Sequence, residues 1–142
     1  MRQLSLPIAA AAFALLSAYP ALAAETVSVE LLGERGGAMS IKLDKSSVPA
    51  GEVTFQVANV AKNTPHEMVV VKVDKAGQRL EVDRATNRVD ESKLDSKGEV
   101  SNLKAGQDGT LTVNLAPGSY ELICNLKGHV MAGMVVSFTV TG

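Results

Sequence analysis

The chain has no tryptophan, a single cysteine, two histidines and only five aromatic residues among 142. One cysteine, Cys124, excludes an intramolecular disulfide framework, a paired-thiol redox motif, a covalent haem attachment site and any four-thiolate zinc or iron–sulfur site. An excess of one charge is also missing: 14 basic residues face 15 acidic ones, and no basic block stands out. Nucleic acid is therefore not an expected partner, because its phosphates demand a concentrated cationic patch. No apolar run approaches the length of about 20 residues that spans a bilayer with ease. What remains is one small domain with few residues able to do chemistry.

The longest apolar run, residues 7–16, follows Arg2 and precedes small residues ending in Ala21, Leu22 and Ala23. Charge, short apolar stretch and an A-x-A-like site in that order make an export signal. Residues 1–24 therefore read as a leader, and 25–142 as the mature domain. Removing Arg2 leaves 13 basic against 15 acidic residues, a net charge of −2. The expected destination is the periplasm or the cell exterior, with no stable membrane insertion after cleavage. In such an oxidising compartment an unpaired thiol is either buried and inert or protected by something that holds it.

Seven short segments rich in Val, Thr and Ile read as strands: 26–32, 39–43, 52–59, 66–74, 110–115, 118–124 and 134–141. Turn signals such as Gly36-Gly37, Pro49, Pro65 and Pro117-Gly118 separate them. With no long helical period, the pattern predicts an all-β antiparallel sandwich or small barrel. Alternation places Met134, Val136, Phe138 and Val140 on one inward face, and Tyr120, Leu122 and Cys124 on another. Cys124 thus points inward at a strand end, with Glu121 on the opposite side. The strand from His66 is apolar on both faces and reads as buried on both. Residues 75–109, with seven basic and seven acidic residues and scattered glycines, read as a solvated excursion with a short helix near 90–94.

The chemistry concentrates in ELICNLKGHVMAGM, residues 121–134, which sets Cys124, His129 and Met134 in the spacing C-x4-H-x4-M. His66 opens a separate strand after a proline turn, as NTPH. Each of these residues alone is most simply a core cysteine, a hydrogen-bonded histidine or a core methionine. Their coincidence at strand ends is harder to assign to packing. A thiolate, two imidazoles and a thioether form a soft donor set, unsuited to magnesium or calcium and unusual for structural zinc. Copper remains, and a Cys and two His with a distant axial Met is the donor set of a blue-copper centre.

With these residues in view, the chain resembles the cupredoxin superfamily, the plastocyanin, azurin and auracyanin group. The resemblance is good around His66 and over the final third, and weak from residue 75 to 109. It implies an eight-stranded Greek-key sandwich of seven or eight detectable strands. It also implies one copper ion held by His66, Cys124 and His129, with Met134 as a weak axial ligand. Two departures stand out. The residue after the upstream histidine is commonly Asn in the family, and here it is Glu67; Met131 adds a further thioether to the loop. Four protein ligands leave no open position for a substrate, so the resemblance implies no enzyme but a one-electron carrier between transiently docked redox partners. The alternative is a copper carrier or delivery protein, towards which Glu67 and Met131 lean. The docking surface expected around His129 is an apolar patch of Leu126, Val130, Met131 and Ala132 with Val60, Ala61 and Pro65. Lys62 and Lys127 beside it favour an acidic-rimmed partner.

Overall fold

The computed structural model describes residues 23–142. All but the last two residues of the expected leader lie outside them. Two sheets face each other across one core. The first has four strands: β1 (Glu25–Gly33), β2 (Met39–Leu43), β4 (Gly51–Asn59) and β9 (Asp108–Leu115), in the order β2-β1-β4-β9. The second has five: β3 (Ser47–Pro49), β5 (His66–Val73), β8 (Asp95–Leu103), β10 (Gly118–Ile123) and β11 (Val135–Thr141), in the order β3-β11-β10-β5-β8. A separate two-stranded ribbon pairs β6 (Val82–Asp83) with β7 (Arg88–Val89). All seven expected strands are present, and the all-β sandwich holds. Pairing is mostly antiparallel, but β1 runs parallel to β4 and β3 parallel to β11.

Alternating residues close the core from both sides. Val27, Val29 and Leu31 of β1 and Val53, Phe55 and Val57 of β4 meet Tyr120, Leu122, Phe138 and Val140 from the other sheet. Phe55 and Phe138 cross edge to face, with ring centroids 5.4 Å apart. The Tyr120 hydroxyl donates to the Ala116 carbonyl at 2.7 Å and so fixes the turn that enters β10. This is the tyrosine corner of Greek-key sandwiches.

Residues 75–109 are not a solvated excursion, and the reason is the outer face of the second sheet. Val69, Val71 and Val73 of β5 and Ile123 of β10 point away from the main core and would face water if left bare. Leu80, Val82, Val89 and Leu94 fold over them and form a second apolar cluster. The segment then runs as β8 along the sheet edge beside β5, burying Val100 and Leu103. The expected short helix is a single 3-10 turn, Glu91–Lys93, capped by the Asp90 carboxylate accepting from the Ser92 amide. β5 is accordingly buried on both faces, as its composition predicts. Glu121, opposite Cys124 on β10, also lies under this cover at 1% exposure, accepting from the Gly77 amide and the Ser137 hydroxyl.

Candidate metal centre

The four residues singled out from the sequence come together at one end of the sandwich. His66 opens β5, Cys124 follows the last residue of β10, and a tight loop carries His129 and returns the chain to Met134 just before β11. The loop is closed by its own backbone. The His129 amide donates to the Leu126 carbonyl at 2.9 Å, the Met134 amide to the His129 carbonyl at 3.0 Å, and the Cys124 amide to the Met134 carbonyl at 3.1 Å. Gly133 allows this closure: its φ is +113°, and a Cβ there would lie 2.6 Å from the Met39 carbonyl oxygen.

Three donor atoms form a triangle. His66 Nδ1 and His129 Nδ1 are 3.2 Å apart, and Cys124 Sγ lies 3.3 Å from His129 Nδ1 and 3.9 Å from His66 Nδ1. A point equidistant from the three lies about 2.0 Å from each, the bond length of a first-row divalent ion to imidazole nitrogen. His66, Cys124 and Met134 are 0% exposed and His129 is 5% exposed. Among the described residues this is the one cluster of three or more His, Cys or acidic side chains able to share a metal ion.

Supporting contacts orient the donors. His66 Nε2 lies 3.1 Å from the Gly33 carbonyl oxygen. A carbonyl can only accept, so Nε2 carries the proton and Nδ1 presents its lone pair to the triangle. The turn delivering His66 is pinned twice. Asn59, 1% exposed, donates through Nδ2 to the carbonyls of Thr64 and Leu103 at 2.9 Å each. The Glu34 carboxylate accepts from the Lys62 amide and from the Thr64 hydroxyl. The Cys124 loop is pinned by its neighbour Asn125, which accepts from the Val89 amide at 2.8 Å and donates to the Val89 carbonyl at 2.9 Å and the Glu91 carboxylate at 2.8 Å. Neither asparagine was singled out from the sequence. For Asn125 a signal existed: a polar residue directly after the inward cysteine of a buried strand.

Glu67 serves the site with its backbone. Its amide donates to Cys124 Sγ at 3.3 Å, while its half-buried side chain lies near Glu99, Glu91 and Arg88, and its charge adds to burial in raising the Cys124 pKa. Burial and the nearby carboxylates of Glu99 and Glu91 raise its pKa. Burial pushes the Cys124 thiol up to about 11, against the pull of the Glu67 and Leu126 amides. Burial, with His66, Arg35 and Arg88 close by, takes His129 down to about 4, and burial lowers His66 as well. In the metal-free protein at neutral pH the site is therefore a thiol and two neutral imidazoles, a set that becomes a strong chelate once one proton leaves.

The profile described as copper binding proteins, plastocyanin/azurin family, matches residues 27–141, nearly the whole described chain. The chain belongs to this family. Solved cupredoxins share its fold. Dithionite-reduced auracyanin from the photosynthetic bacterium Roseiflexus castenholzii is similar at 21% identity and a TM-score of 0.60, over 82% of this chain and 97% of its own. Auracyanin B is similar at 25% identity and a TM-score of 0.56, over 83% and 89% of the two chains. Rusticyanin from Thiobacillus ferrooxidans is similar at 16% identity and a TM-score of 0.62, over 83% and 77%. No curated protein sequence matches this chain. Family membership and the donor set together make the cofactor of this cupredoxin one type 1 copper, and make the protein a blue copper electron carrier.

Proposed function

We propose that His66, Cys124 and His129 are the strong copper ligands and Met134 the weak axial one. We propose further that residues 25–142 act in the periplasm as a soluble one-electron shuttle, freed of the leader 1–24. One observation carries this reading: three donor atoms within 3.9 Å of one another in a buried, multiply pinned pocket. Bound copper supplies a one-electron couple, Cu(I)/Cu(II). The chain's part is to hold its donors still, so that little rearrangement accompanies the change of charge. Each donor segment is anchored to a sheet or to a buried asparagine, and the pocket excludes water. His129 alone among the four donors reaches the surface, so a partner docking over it comes within one imidazole of the donor set. No helix among the described residues is long and apolar enough to cross a membrane. Copper delivery fits less well, because handover needs donors that a second protein can reach, and three of the four are fully buried.

Titrating Cu(II) into the mature protein tests the reading. An intense blue or green band appears with wild type and is absent with Cys124→Ser; a colourless wild-type complex refutes thiolate ligation. Reversible oxidation and reduction without loss of metal supports the shuttle, whereas ready transfer of Cu(I) to a competing chelator supports delivery.

A further inference from the structure

The surface over His129 keeps part of the apolar patch expected of it, Leu126, Ala132 and Pro65, and adds positive charge. His129 lies in an open depression of about 560 Å³ whose lining includes Leu126 and Ala132 but also the exposed cations Arg35, Arg88 and Lys127. Lys62 is not among the residues around it, and no carboxylate lines it. None of the three cations is ion-paired among the described residues. Asn87 also lines a neighbouring hollow, where Arg79 and Arg84 stand beside Glu81 and the buried Glu121, with Met131, 64% exposed, in its wall. The depression over His129 is thus locally cationic, although the whole chain carries a net charge of −1. Three cations around the surface-reaching ligand, with no carboxylate lining the same depression, attract an oppositely charged partner and steer its approach to that ligand.

We infer that the Arg35–Arg88–Lys127 rim is the docking site for an acidic redox protein, one whose own electron-exchange edge is ringed by carboxylates. This rests on the shuttle reading, since it supplies that shuttle's partner. The rim gives orientation and on-rate, while Met131 and Leu126 supply a small apolar contact that lets go quickly, as transient encounters require.

The test has two arms. In the first, poly-glutamate is titrated into the metal-free protein by calorimetry at low salt. Wild type binds it, and the triple charge reversal R35E/R88E/K127E does not. In the second, the copper-loaded, reduced protein passes one electron to hexacyanoferrate(III), which becomes hexacyanoferrate(II), in stopped flow. The net charge alone predicts repulsion of this anion and a rate that rises with salt. The rim predicts the opposite sign, a rate falling about tenfold from low to high ionic strength. The charge-reversed variant inverts that slope while retaining its visible band, and the milder R35Q/K127Q flattens it should the triple variant prove unstable. Absence of poly-glutamate binding by wild type, or a wild-type rate that rises with salt, overturns the docking site. The first arm needs no copper, and loss of the visible band in wild type would count against the shuttle alone.

Discussion

At the scale of single residues, the proton on Cys124 decides how the site fills. Its pKa of about 11 means that the thiol is protonated at neutral pH, while both imidazoles, lowered by burial, are already neutral. Copper must therefore displace one proton, and only one. Apparent Cu(II) affinity should rise about tenfold per pH unit between about pH 6 and 8, with close to one proton released per ion, as read by competition titration and by calorimetry in buffers of different ionisation enthalpy. A flat profile would mean that the thiolate pre-exists or takes no part. Met134 poses a different question, since a thioether at an axial position tunes rather than anchors. Met134→Leu should keep the visible band and raise the reduction potential, because removing a weak axial donor shifts the balance between the two oxidation states. Loss of copper binding in that variant would instead make Met134 a principal ligand.

At the scale of elements, the donor loop is stiff because the 75–94 segment is folded against it. Asn125 matches both backbone groups of Val89 and reaches Glu91, and the Gly128 amide donates to the Asn87 carbonyl at 2.9 Å. Asn125→Ala leaves the Val89 amide and carbonyl without their partners at a buried position, and should lower stability by about 2–3 kcal/mol in chemical denaturation of the metal-free protein. A change well below 1 kcal/mol would show that the loop does not depend on this clamp. Alternation made seven strands and the inward course of Cys124 legible in sequence, because each has a solvated or a core face that leaves a period of two. β8 was not legible: DSKGEVSNL is an edge strand that buries only Val100 and Leu103, and Gly98, at a φ of +143°, sits beside a register shift. β6 and β7 are too short to carry any period. Balanced charges in 75–109 hid Leu80, Val82, Val89 and Leu94, whose burial depends on a sheet face supplied elsewhere in the chain. The donor residues were legible because their chemistry is rare. Asn59 was not, since a buried asparagine is defined by the backbone groups it meets, and one of these, the Leu103 carbonyl, comes from a distant strand; Asn125 was marked only by its place directly after the inward cysteine.

At the scale of the whole molecule, a closed pocket that keeps two imidazoles neutral makes folding sensitive to acid. In the unfolded chain a histidine takes up its proton near pH 6.5. In the folded, metal-free protein His129 does so only near 4, and His66 is shifted the same way. Between those values the unfolded state binds more protons than the native one, so stability rises with pH across the interval. The contribution is fully present above about pH 6.5 and is lost as pH falls towards 4. The metal-free protein should therefore melt several degrees lower at pH 5 than at pH 7. His129→Gln, which removes the titration and keeps a polar side chain, should narrow that gap. If the wild-type melting temperature is the same at both values, the imidazoles titrate as they would in water and the pocket is more open than its burial implies.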